Sequence, residues 1–154
     1  MIQNGTRQGS VLFPYLFSRY IKELLGAVAN SGIGCNVANQ FVNILAYEDD
    51  VVLIAPSWRG LQSLMSLLCK HAVAIDMSVN KNKTVCMIFK PKIAIKLWPV
   101  SLRLMIDDHP VDFVKTFTYL DEELDGGKDR RTDIRRRVMP AFQHYVFVHT
   151  YPFP

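Results

Sequence analysis

Cysteine is scarce in this chain of 154 residues: Cys35, Cys69 and Cys86 are odd in number, widely spaced and contain no CxxC pair. That excludes a disulfide framework or a closed zinc site and predicts three free thiols in a reducing compartment, with no disulfide partner. His71, His144 and His149 share no ligand spacing that would revive a zinc reading. Long apolar runs are missing as well. None approaches the ~18–20 residues of a bilayer span, so no membrane partner is expected. The opening Met1-Ile2-Gln3-Asn4-Gly5 has neither the basic nor the apolar region of a secretory leader. An intracellular location, nucleus or cytoplasm, is the expectation. Glycine and proline, eight of each, are too few for a collagenous or low-complexity chain. What remains is globular, with 49% hydrophobic, 21% charged and 11% aromatic residues, in a length that suits one domain or a piece of one.

Charge is unevenly laid out beneath a net +4. Glu48, Asp49 and Asp50 form a carboxylate knot, and between residues 51 and 106 eight Lys and Arg face the single acid Asp76. Residues 107–127 swing acidic, and the remainder of the chain is basic again. Acids able to hold cations beside bases able to hold phosphates suit a site that handles a polyanion, and a solvated surface is the alternative.

Along the chain, Asn4-Gly5 and Gln8-Gly9-Ser10 are turn chemistry, and Pro14 suits a first helical turn. Leu16, Phe17, Tyr20, Ile21, Leu24, Leu25 and Val28 recur at three- and four-residue steps, which predicts an amphipathic helix ending near Asn30 or Gly32. Two strand-like runs, Phe41–Tyr47 and Val51–Ala55, flank the acidic knot as a hairpin, and the second is apolar enough to be buried on both faces. Ser57 caps a second helix with the stripe Leu61, Leu64, Met65, Leu68 and Ala72. After the polar turn Asn80–Lys83 come a strand over Thr84–Phe89 and a hairpin pairing Leu102–Ile106 with Val111–Leu120 around Asp107-Asp108-His109-Pro110. A metal reading of that acidic turn competes with plain turn chemistry, which fits Asp and Pro better. Asp133–Met139 reads as a short basic helix cut by Pro140. The pattern is α+β.

Adjacent aspartates between apolar strands are costly to place for packing alone, and a divalent cation relieves their repulsion. Mg²⁺ suits such a turn, because it takes few carboxylates, several waters and substrate phosphate oxygens. A solvated turn is the competing explanation.

Four segments in order decide the matter. Residues 4–17, Asn-Gly-Thr-Arg-Gln-Gly-Ser-Val-Leu-Phe-Pro-Tyr-Leu-Phe, resemble the "GxRQGSxLSPxLF" palm segment of reverse transcriptases. Ala46-Tyr47-Glu48-Asp49-Asp50 resembles their "YxDD" hairpin, Leu61–Lys83 the helix and lysine-bearing turn that follow, and Phe117-Thr118-Tyr119-Leu120 the "FxYLG" primer grip. The wording is similar to that of the non-LTR, LINE-like retrotransposon branch. The resemblance implies RNA-templated DNA synthesis by two-metal phosphoryl transfer, with Mg²⁺ as cofactor and an RNA template, a DNA primer and dNTP as partners. It implies a partial polymerase palm: an antiparallel sheet bearing the Asp-Asp hairpin, packed on two helices, without the first palm strand or the fingers. Asp49 and Asp50 match the metal pair. Arg7, Gln8 and Gly9 match the segment nearest template and nucleotide, with Arg7 either a phosphate contact or a solvated cation. Lys83 falls where the family carries a possible general acid, or is a plain turn lysine. Tyr119 and Leu120 match the primer grip. The implied layout is palm and primer grip over 1–121, the start of a thumb-like region over 122–142, and an unassigned tail over 143–154.

The departures are specific. The family's third carboxylate comes from a strand ahead of the Gln-Gly segment, and no acid precedes Asn4 here. Phe13, Glu48 and Asp121 replace a serine, a small or apolar residue and a glycine of the family motifs. The chain is therefore expected to be inactive on its own, a fragment of a retrotransposon polymerase. The alternative is a non-catalytic nucleic-acid-binding remnant or a translated pseudogene. Because the missing strand lies inside the family's sheet beside the hairpin, the sequence also predicts an unpaired inner edge and low stability.

Overall fold

Ser57 begins the longest helix among the described residues, and its side chain shows why the helix starts there: Oγ accepts a hydrogen bond from the Gly60 N–H at 3.1 Å. The computed structural model describes residues 19, 21–37, 40–47, 50–89, 103–119, 122–125 and 145–150. In chain order the elements are α1 (Lys22–Ala29), β1 (Cys35–Val37), β2 (Gln40–Val42), β3 (Ile44–Tyr47), β4 (Asp50–Leu53), α2 (Trp58–Ala74), β5 (Val85–Phe89), β6 (Met105–Ile106), β7 (His109–Pro110), β8 (Asp112–Val114), β9 (Thr116–Tyr119), β10 (Glu122–Asp125) and β11 (Tyr145–Thr150). No helix among the described residues is long and apolar enough to cross a membrane.

The main sheet has five strands in the order β3-β4-β11-β5-β8. β11 is its central strand, antiparallel to β4 through Val148↔Leu53, His149↔Val52 and Thr150↔Val51, and to β5 from Tyr145↔Phe89 to His149↔Val85. β8 joins the far edge parallel to β5. Strand alternation then sorts the apolar side chains. Val51, Leu53 and Cys86 face the two helices and pack with Leu24 and Val28 of α1 and the predicted α2 stripe Leu61, Leu64, Met65, Leu68 and Ala72. Val52, Ile54 and Met87 face the other way, where Cys35, Val42, Val114 and Phe117 cover them. The expected burial of β4 on both faces holds: Val51, Val52 and Leu53 are all buried.

One buried amide fixes how the hairpin meets the helices. Asn43 interrupts the run 41–47, and its Nδ2 donates to the Val28 and Ile33 carbonyls at 2.7 and 2.9 Å and lies within 3.2 Å of Ser31 Oγ. It thereby ties the hairpin to the last turn of α1 and to the segment that leaves it. Gly34 makes room: a Cβ there would stand 2.6 Å from the Asn43 Cβ and 2.9 Å from the Val42 carbonyl oxygen.

Several expectations change. The run 41–47 is two strands, β2 and β3, and β2 pairs with β1 rather than extending the acidic hairpin. The hairpin expected between 102–106 and 111–120 is a smaller one, β6 with β7 around Asp107-Asp108, with Asp107 in the left-handed region at φ 52°. Residues 112–114 instead pair with β5, and 116–119 pair with β10. The sheet is therefore mixed rather than wholly antiparallel. Nor is the inner edge of β4 open, because residues 145–150 of the tail occupy it. The basic helix proposed over 133–139 lies outside the described residues.

Removing the Asn43 amide deletes its close hydrogen bonds to the Val28 and Ile33 carbonyls. Asn43→Ala is expected to lower unfolding free energy by about 1–3 kcal/mol in urea titrations. Gly34→Ala should cost about the same through overpacking.

Candidate nucleotidyl-transfer site

The β3–β4 hairpin closes on the register pair Tyr47↔Asp50, with Glu48 and Asp49 between them in the chain. Glu48 and Asp49 lie outside the described residues, as do Arg7, Gln8, Gly9 and Leu120. Asp50 opens β4 and is half-buried. By alternation it shares the face of Val52, the side of the sheet away from the helices. Tyr47, 54% exposed, and Leu45, 44% exposed, stand on that same face of the neighbouring strand.

Lys83 reaches the same end of the sheet by a different route. Asn80 builds a tight polar turn in which its Oδ1 accepts from the N–H groups of Asn82 and Lys83, each at 3.1 Å. Thr84 is buried and closes the turn, its Oγ1 donating to the Asn80 carbonyl at 2.6 Å. β5 begins at the next residue.

Register shows what this achieves. His149 of β11 faces Val52 on one side and Val85 on the other. Asp50 and Lys83 each stand two residues ahead of those partners, and β4 and β5 run the same way. They therefore lie toward the same end of the sheet, Asp50 at the start of β4 and Lys83 in the turn that leads into β5. An anionic and a cationic group at one end of a sheet can address two parts of one polyphosphate. Asp112, level with Val85 on β8, adds an acid at this end that the sequence did not single out. The signal for it was long-range pairing, which local pattern does not carry. Tyr119 lies in β9, which pairs with β10, and Phe117 of the same strand packs against Val52, Ile54 and Met87 on the Asp50 face of the sheet.

The acidic turn 107–108 serves structure. Asp107 Oδ2 meets Lys81 Nζ at 2.7 Å, and this hydrogen bond holds the exposed Lys81 ammonium above its ordinary value. The β6 edge is fixed by Gln62 of α2, which donates to the Met105 carbonyl and accepts from the Met105 N–H, both at 2.9 Å. No group of three His, Cys, Asp or Glu side chains able to hold a metal occurs among the described residues. Two adjacent carboxylates at an open hairpin still suit a hard dication that keeps waters and phosphate oxygens in its shell.

All three cysteines are free. Burial pushes Cys35 to about 11 and Cys86 higher still; Cys69 is also at about 11, through burial first and the Asp107 charge second. Burial thus favours the neutral thiol form of all three.

Comparison with known proteins bears on these residues together. The family described as reverse transcriptase (RNA-dependent DNA polymerase) matches residues 1–121. A Pol polyprotein from the type-2 retrotransposable element R2DM of Drosophila melanogaster is 34% identical over 79 residues, 51% of this chain and 7% of the relative. Polyproteins from element R2 of Popillia japonica and element R1 2 of Nasonia vitripennis are each 28% identical over 123 residues. They cover 77% and 75% of this chain, which spans 17% and 28% of those relatives.

The raised thiols carry a pH signature. Their stabilising preference for the neutral form is complete below the ordinary value of 9.0 and is lost as pH rises through about 11. Urea midpoints should hold between pH 7 and 8 and fall between pH 9 and 11. A thiol-reactive chromophore at pH 8 should label all three cysteines in urea and few in the native chain.

Proposed function

The chain belongs to the reverse transcriptase (RNA-dependent DNA polymerase) family, and on that premise we propose that it is the palm segment of a non-LTR retrotransposon polymerase, with Asp49 and Asp50 as its metal-binding pair. The observation that carries this reading is the register through β11, which sets Asp50 and Lys83 at one end of the sheet. Asp49 and Asp50 would hold Mg²⁺, which supplies activation of a primer 3′ oxygen and neutralisation of charge on the leaving pyrophosphate. Lys83, exposed on its turn, donates a proton toward that leaving group and anchors its phosphates. Arg7, Gln8 and Gly9 approach template and incoming nucleotide, where a residue without a β-carbon allows close backbone approach. Tyr119 and Leu120 hold the primer. RNA template, DNA primer and dNTP are the ligands of the assembled site.

The same register favours a second element of the reading. The strand beside Asp50 is Tyr-Val-Phe-Val-His-Thr, which brings no carboxylate to the pair. A two-metal centre needs ligands from both sides of its ions, so the chain by itself holds nucleic acid and metal without extending a primer. Exposed Lys81, Lys83 and Arg103 then act as phosphate contacts.

Mn²⁺ titration followed by NMR tests the metal pair. Paramagnetic broadening should centre on Tyr47, Asp50 and Val51 and disappear in Asp49→Asn with Asp50→Asn. Broadening that ignores the double variant would refute the assignment. With primed RNA, dNTPs and Mg²⁺ the isolated chain should give no extension, while RNA retention weakens as salt rises. Processive extension would overturn the second element alone.

A further inference from the structure

The central strand of the sheet comes from residues 145–150, beyond the 1–121 segment that the family matches. Its neighbours keep other partners. β4 is also paired with β3, and β5 with β8. Val51 and Leu53 of β4 and Cys86 of β5 belong to one apolar cluster with Leu61, Leu64 and Met65 of α2. The helix layer thus bridges the position of β11 from beneath and ties the two half-sheets together. Withdrawal of β11 would leave between them a slot about two strand spacings wide, ~10 Å, with backbone N–H and C=O groups facing inward from both walls and an apolar floor.

We propose that this slot is a strand-acceptor site, that residues 145–150 are a detachable occupant, and that the same segment of a second copy fills it to give a strand-exchanged dimer. The occupant is named by register: this segment matches both walls antiparallel over Tyr145–Thr150, and a second copy offers the identical pairs. Its residues carry no Asp, Glu, Lys or Arg, so no charge is desolvated on entry. Residues 126–144 connect it to β10 and span up to ~60 Å when extended, ample reach to a neighbour. Exchange therefore conserves every backbone pair in the sheet, and rising concentration favours the exchanged dimer over the closed monomer. The proposal does not rest on the polymerase reading.

Full-length chains labelled with donor and acceptor dyes are mixed at high concentration, opened briefly in mild urea, and returned to buffer. Energy transfer should grow in step with a dimer in sedimentation velocity. Excess synthetic peptide of residues 143–154 should dissolve that dimer, leaving monomer with peptide bound, while peptide carrying Val148→Pro leaves it intact. Full-length Val148→Pro should not dimerise and should bind wild-type peptide at least tenfold more tightly than the wild-type chain does. Three results would overturn the proposal: monomer at every concentration, a dimer indifferent to the peptide, or a folded Val148→Pro chain that takes up none. The competition arm uses the wild-type chain and stands even if Val148→Pro does not fold.

Discussion

Val51, Val52 and Leu53 are buried on both faces of the sheet, so the backbone of β4 has no access to water and must find hydrogen-bond partners on both edges. That constraint organises the molecule. On one edge the β3 hairpin arm supplies partners, and on the other β11 does. The helices answer the side chains of Val51 and Leu53, while β1, β2 and Phe117 answer Val52 and Ile54. Leaving either edge bare would cost ~1–3 kcal/mol for each orphaned group, against a total stability of only ~5–15 kcal/mol for a domain. A strand drawn from beyond the family-matched segment is the physical answer to an edge that cannot stay open.

The same strand determines what the candidate site is. Because β11 is antiparallel to both neighbours, β4 and β5 run alike, and the residues that open them lie together. Asp50 and Lys83, far apart in sequence, come to the same end of the sheet. The Asn80 turn and the Tyr47↔Asp50 closure are the local devices that hold each at its position. Asn43 carries the hairpin's placement back to α1 through its buried amide. Position is thus built from three independent supports, while the chemistry of the strand between Asp50 and Lys83 contributes no acid.

Much of this was legible in the sequence where the signal is local. The Ser57 cap and the apolar stripe of α2 depend on a repeat of three to four residues and fold as read. The apolar run after the acidic knot needed only its composition to announce a strand buried on both sides. The Asn80 turn followed from an Asx side chain's habit of bonding its own backbone. The misses share a different cause. Asn43 looks like one polar residue in a strand, and only the position of α1 makes it a break between β2 and β3. β6, β7 and β8 are short pieces whose pairings are set by Gln62 and β5, distant in sequence. β11 is aromatic and β-branched, but no local rule says that its slot lies between β4 and β5. Family motifs pointed to Asp49, Asp50 and Lys83 as the proposed site, and long-range register brought Asp50 and Lys83 to one end.

The central claim is that residues 145–150 run between β4 and β5 and so align Asp50 with Lys83. Cross-strand backbone NOEs in the full-length chain test it most directly. Contacts from His149 to both Val52 and Val85, with slow amide exchange over Val51–Leu53, are the predicted result. Fast exchange over Val51–Leu53, with no contact from His149 to either strand, would contradict it.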